Sequence, residues 1–192
     1  MPFLILIRHS ITKQDARVNS RDWTLTEEGQ KLCKSLAEEL RDYDISRIYS
    51  SQETKAYLTG KIVADVLKIP CEKASNLEET HRKTVPYFDS LQEFKESIRT
   101  AMKSPDDLLF GEETFADARK RLSAQIDSLL EKHPGQTLAI VTHATVLSVY
   151  LGHILGRDPV EIWNTMGMPA YIVLSLPEKN LLKIVNRLEE KL

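Results

Sequence analysis

The stretch Phe3-Leu4-Ile5-Leu6-Ile7-Arg8-His9-Ser10 decides the fold class. Its apolar residues run without interruption instead of alternating with polar ones, as in a strand buried on both faces. The run stops at Arg8 and His9, so charge and a titratable ring stand at the carboxyl end of that strand. A second run, Thr137-Leu138-Ala139-Ile140-Val141-Thr142, has the same character and stops in the same way, at His143.

Weaker strand patterns lie outward from these two. Ile45–Tyr49 is one, and Ile69–Leu77 is a less regular one. Tyr171–Leu176 and Leu182–Leu188 flank Pro177-Glu178-Lys179-Asn180, a hairpin-like turn, although the second arm also fits a partly helical reading. Helical periodicity fills the gaps. Thr26 caps a pattern with Leu32, Leu36, Ala37 and Leu40 on its apolar side, without the glutamate that would complete a capping box. Glu53–Leu67, Phe88–Met102 and Thr114–Leu130 are amphipathic, and Thr145–Leu155 is apolar nearly all round, as a buried helix is. The resulting order, β-α-β-α-β-α-α-β-α-β-β, predicts an α/β sandwich with a largely parallel sheet.

Bulk properties fit one domain over residues 1–192. The chain is 42% hydrophobic and 28% charged, ordinary values for a globular protein. A net charge of -2 gives no reason to expect nucleic acid or an anionic membrane as partner. The apolar start is too short for a signal peptide and lacks a preceding basic segment, and no run is long enough to cross a bilayer. The cytoplasm is the expected location. Cys33 and Cys71 have neither metal-site nor redox spacing and read as reduced structural thiols. The chain is expected to be a monomer or homodimer.

Ligands of open α/β sheets bind beyond the carboxyl ends of the strands. Placing each residue after its predicted strand gathers Arg8, His9, Ser10 and Thr12 after the first; Ser50, Ser51 and Lys55 after the second; Glu78, Glu79, His81 and Arg82 after the third; and His143, Ala144 and Thr145 after the fourth. Two imidazoles, cations and a carboxylate at one edge read as an anion site with a nucleophile and a proton donor. Arg8 suits two phosphate oxygens through its planar fork. A neutral His9 nitrogen is a nucleophile if its other nitrogen is held. His143 adds hydrogen bonds, and Glu79 supplies and recovers the leaving-group proton. No HxxxH or HxH spacing is present, and Arg8 would repel a cation, so no metal is expected. Trp23 and Trp163 read as packing anchors, and Arg187–Lys191 as a solvated charged face.

These segments resemble the histidine phosphatase superfamily, which includes the cofactor-dependent phosphoglycerate mutases. Arg8-His9 and Thr12 are similar to its Arg-His-Gly-x-Thr motif, and Leu25-Thr26-Glu27-Glu28-Gly29 to its Leu-Thr-x-x-Gly. Ser50-Ser51 followed by Lys55-Ala56 resembles Ser-Ser-Pro-x-x-Arg-Ala, and Leu77-Glu78-Glu79 resembles the Leu-x-Glu that carries the acid. Gly111-Glu112-Glu113 resembles Gly-Glu-Ser, and Thr142-His143-Ala144 resembles Ser-His-Gly. The resemblance implies a three-layer α/β/α fold, a phosphohistidine on His9, no metal or other cofactor, and a phosphorylated small molecule as partner. It leaves phosphatase, mutase and protein phosphohistidine phosphatase open. Four positions depart from the pattern. Ser10 and Ala144 stand for glycines, and the Ser10 hydroxyl is a candidate phosphate ligand. Lys55 stands for an arginine. Asp15 stands for a phosphate-binding asparagine, so its carboxylate is expected to point away or to meet a substrate cation. These departures also motivate a non-catalytic phosphate-binding module as an alternative.

Overall fold

The computed structural model describes residues 1–85, 87, 88 and 90–188. Its six strands are β1 (Phe3–Arg8), β2 (Ile45–Ser50), β3 (Cys71–Lys73), β4 (Thr137–Thr142), β5 (Ala170–Ser175) and β6 (Asn180–Val185). They form one sheet in the order β3-β2-β4-β1-β5-β6. The pairs β3–β2, β2–β4 and β4–β1 are parallel. The pairs β1–β5 and β5–β6 are antiparallel. The mostly parallel α/β architecture expected from the sequence is therefore present.

The apolar run of β1 serves both faces of the sheet, and Leu4, Ile5, Leu6 and Ile7 are all fully buried. Leu4 and Leu6 join Leu138, Ile140 and Ile172 beneath α4 (Phe115–Lys132) and α5 (Ala144–Leu155). Ile5 and Ile7 join Ala139, Val141 and Val173 against α1 (Glu27–Leu40) and α2 (Thr54–Leu67). The 2-residue alternation of a strand thus divides one continuous apolar run between two cores. A third, smaller cluster links α3 (Leu91–Lys103) to Phe110, Phe115 and Val149, with Phe88, Phe94 and Trp163 packed against it.

Three segments differ from the sequence expectation. The predicted strand Ile69–Leu77 is reduced to Cys71–Lys73. Asn76 has φ 64°, the Thr142 hydroxyl donates to the Leu77 carbonyl at 2.7 Å, and Arg121 donates to the carbonyls of Asn76, Glu78 and Glu79. These contacts pull the chain off the sheet edge and across the tip of β4, so Glu79 reaches its place from a loop. The helix predicted from Phe88 starts at Leu91, where Ser90 accepts from the Glu93 N–H. A short helix, α6 (Pro159–Thr165), was not anticipated; Asp158 caps it, with proline in its first turn, a start signal present in the sequence. The second arm of the hairpin is strand throughout Asn180–Val185. Of the charged tail, residues 189–191 lie outside the described residues.

Candidate active site

The chain returns as β4 between β2 and β1, which sets the geometry of the site. Arg8 is in register with Thr142, so the next residue on each strand, His9 and His143, stands on neighbouring tips. The His9 N–H donates to the Thr142 carbonyl at 3.1 Å. The two imidazole centroids are 5.2 Å apart, and both rings are buried. His9 Nδ1 lies 2.9 Å from the Ser10 carbonyl. A carbonyl only accepts, so this contact fixes the proton on Nδ1 and leaves Nε2 as the free base. Burial, reinforced by His143, Lys55 and Arg8, holds His9 well below its ordinary pKa. Burial does the same to His143, with Lys55 as the next contributor. Both rings are neutral near pH 7.

Arg8, His9, Thr12, Lys55, Glu79 and Ala144, together with His143, line one cavity of about 600 Å³. Arg8 donates to the Met166 carbonyl, while its Nε is buried without a hydrogen-bond partner. Burial lowers its pKa to about 10, against the attraction of Glu79, and leaves it charged. Arg82 Nη1 and His143 Nδ1 are likewise buried and unpartnered, on residues that line the same cavity. Burying such groups without partners costs about 1–3 kcal/mol each, more for a charged one, which an anionic ligand offsets.

Glu79 is held by the start of α5. Its carboxylate accepts from Thr145 N at 3.1 Å and Val146 N at 2.9 Å, and also from Thr80 N. Burial by itself would raise its pKa; Arg82 and the two α5 amides outweigh that and hold the group below the usual carboxylate value. The neighbouring Glu78 is directed elsewhere, with its carboxylate 3.7 Å from Arg121. Of the two adjacent acids, Glu79 therefore faces the cavity.

Ser10 is not placed as a phosphate ligand, and Asp15 points away, one of its two expected arrangements. Ser10 is fully buried and does not line the cavity. Its hydroxyl donates to the Gly29 carbonyl at 2.8 Å and its N–H to Thr59 Oγ1 at 3.0 Å. It ties the β1 tip to α1 and α2, and its φ is not positive, so the backbone here accepts a side chain. Asp15 also lies off the cavity; both its oxygens accept from Arg17, at 3.0 and 2.8 Å. Lys55 lines the cavity but is partly engaged, with Nζ donating to Glu53 Oε2 and to the Ser20 carbonyl, each at 2.6 Å.

Sequence reasoning missed Glu53. It is buried and paired with Lys55, accepts from Glu79 N at 3.1 Å, and lies 3.8 Å from His143 Nε2. It precedes α2 within the segment already singled out for Ser50, Ser51 and Lys55, and only the uncommon burial of a carboxylate marks it. Glu113 and Arg121 were also missed; their 2.6 Å ion pair anchors the loop that carries Glu79. Trp23 and Trp163, read as packing anchors, both line the cavity. Among the described residues, no group of three or more histidine, cysteine, aspartate and glutamate side chains is placed to hold a metal ion.

Residues 4–185 match the histidine phosphatase superfamily, branch 1. The chain belongs to that superfamily. It is similar to phosphoserine phosphatase 1 of Hydrogenobacter thermophilus, with 25% identity over 168 residues, 84% of this chain and 80% of that one. It is also similar to the probable phosphoglycerate mutase GpmB of Yersinia enterocolitica, with 27% identity over 164 residues, 81% and 76% of the two chains. Among solved structures, Bacillus stearothermophilus YhfR superposes with a TM-score of 0.78 at 23% identity, covering 96% of each chain. The three-layer fold is that of the superfamily, and the protein is an enzyme of it. No helix among the described residues is long and apolar enough to cross a membrane.

Proposed function

We propose that this enzyme hydrolyses a phosphomonoester through a phosphohistidine on His9. The observation that carries the reading is the His9–His143 pair on adjacent strand tips, with His9 Nδ1 held by a carbonyl and Nε2 left free. The lone pair of His9 Nε2 attacks phosphorus as the ester P–O bond breaks. The departing oxygen takes a proton from Glu79. In the second step Glu79, now a carboxylate, takes a proton from water, whose oxygen attacks phosphorus. The P–N bond breaks, its electron pair returns to Nε2, and inorganic phosphate leaves. Arg8, Lys55, Arg82 and His143 surround the transferring group with positive charge and donors, the main requirement of phosphoryl transfer.

The test is phosphate release from a panel of phosphomonoesters, together with quenching in alkaline denaturant during turnover. Wild type is expected to turn over at least one ester and to trap an acid-labile, base-stable phosphoryl group on His9. His9→Ala is expected to lose at least about a thousandfold in kcat. Equal turnover by His9→Ala, or label recovered on another residue, overturns the mechanism. The similarity to a probable phosphoglycerate mutase supports a second reading, isomerase chemistry by the same residues. Bisphosphoglycerate-dependent interconversion of phosphoglycerates, faster than phosphate release, would establish it.

A further inference from the structure

The cavity has two unlike ends. Its phosphate end consists of buried polar side chains, His9, Lys55, Glu79 and His143 among them. The remainder runs out to a mouth where Leu91, Tyr87 and Val18 are 66%, 52% and 42% exposed. The same lining carries an aromatic wall. Phe94 meets Phe88 at 5.7 Å, Phe110 at 6.1 Å and Trp163 at 6.4 Å between ring centroids. All four rings line the cavity, and Trp23 does too.

The cations mark the border between the two ends. Arg82 lies over the Phe94 ring at 5.2 Å, and Lys55 lies 5.9 Å from the Trp23 ring. Beyond them, Arg17 and Lys83 also line the cavity, but both are solvent-exposed, and Arg17 is engaged by both carboxylate oxygens of Asp15. A substrate that carries a carboxylate on its alcohol portion needs a second cation beyond those that hold the phosphate. Among the described lining residues the cations outside the phosphate end are these two exposed ones, whereas the more buried surface there is aromatic, with Phe88, Phe94, Phe110 and Trp163. A volume of about 600 Å³ is in the range that accommodates whole drug-sized ligands, about 300–1,000 Å³, and far exceeds the needs of a three-carbon acid.

We infer that the preferred substrate is a phosphomonoester whose alcohol portion is uncharged and apolar or aromatic, seated on the Phe88–Phe94–Phe110–Trp163 wall. The inference rests on the phosphatase reading above. It assigns the wall a role in specificity: the bond broken is the same for every primary alcohol ester, and discrimination comes from the part of the substrate away from phosphorus.

The test compares 2-phenylethyl phosphate with O-phosphoserine and 3-phosphoglycerate. The first two share a primary alkoxide leaving group, so leaving-group chemistry does not decide the ratio of their kcat/KM values. Because the ratio is taken on one preparation, the folded fraction cancels. In wild type the ratio of 2-phenylethyl phosphate to phosphoserine is expected to exceed about 10. Phe94→Ala is expected to reduce it about tenfold, and Leu91→Ala, at the exposed mouth, about threefold. A wild-type ratio at or below 1 overturns the inference while leaving the phosphatase reading intact. So does a ratio that neither variant moves. No phosphate release from any ester overturns the phosphatase reading; calorimetry on His9→Ala then decides the wall separately. Tighter binding of 2-phenylethyl phosphate than of phosphoserine supports it, and equal or weaker binding overturns it.

Discussion

Two imidazoles kept neutral by burial make the protein sensitive to mild acid, and the structure fixes the sign. In the folded state His9 and His143 have pKa values well below 6.5, because burial and the neighbouring cations penalise the charged rings. In the unfolded chain each returns to about 6.5 and binds a proton first. Stability is therefore complete above about pH 6.5 and is lost as the pH falls from there toward the folded-state values. Lowering the pH from about 7 to about 5.5 costs roughly 1 kcal/mol per ring, or about 2–3 kcal/mol for the pair. Glu53 and Glu79 do not contribute in this window, since both are held below the ordinary carboxylate value. For Glu53, burial opposes that shift and the Lys55 charge outweighs burial. The assay is urea unfolding of wild type and of the His9→Gln, His143→Gln double variant at the two pH values. The other three histidines are common to both proteins, so the difference in pH dependence isolates the pair. Wild type should lose about 2–3 kcal/mol more than the variant between the two conditions. A difference under about 0.5 kcal/mol would show that both rings carry charge in the folded protein, and it would refute the assignment of His9 Nε2 as a free base.

Three further outcomes follow from particular contacts. Gly29→Ala should lower the urea midpoint by an amount equivalent to about 1–3 kcal/mol, because an added Cβ would stand 2.4 Å from the Ile11 carbonyl oxygen, backbone against backbone. Glu53→Gln should destabilise by about 3–5 kcal/mol, since it strands a buried Lys55, and Glu53→Gln combined with Lys55→Met should be more stable than the single variant in the same unfolding assay. Arg121→Met should cut kcat about ten- to a hundredfold with a smaller change in KM, because it releases the Asn76, Glu78 and Glu79 carbonyls that fix the acid's position; an unchanged pH profile and kcat would remove Arg121 from the positioning of Glu79.

The sequence disclosed whatever depends on local pattern. Continuous apolar runs identified β1 and β4, and the polar residues that end them identified Arg8, His9 and His143, because the carboxyl end of a buried parallel strand is where such side chains meet. Residues whose place depends on contacts distant in the chain were read less well. Leu77 follows an extended pattern, yet a hydroxyl from β4 and a guanidinium from α4 draw its segment off the sheet. Ser10 read as a candidate phosphate ligand because it follows Arg8-His9, but its hydroxyl finds the Gly29 carbonyl nineteen residues away. Glu53 was invisible because nothing local distinguishes a helix-start glutamate in solvent from one buried against a lysine two residues on. The aromatic wall had a similar disguise: Phe88, Phe94, Phe110 and Trp163 occupy ordinary core spacings, and only their convergence beside Arg82 makes them one surface.

The proton on Glu79 remains to be reconciled with its surroundings. A general acid must be protonated when the ester bond breaks, yet the protein's own charges favour the carboxylate, through Arg82 and the amides of Thr145 and Val146. In the proposed mechanism, bound substrate would reverse this balance. A phosphate dianion takes up the charge of Arg8, Arg82 and Lys55 and places its own negative charge beside Glu79. That like charge raises the pKa of Glu79. The same negative charge favours a proton on His143, whose unpartnered Nδ1 then becomes a donor. His9 responds less usefully to the anion, and the Ser10 carbonyl only holds its orientation, so its neutrality relies on burial. Under the proposed mechanism, the cluster would thus favour a protonated Glu79 when phosphate is bound, with His9 unprotonated beforehand.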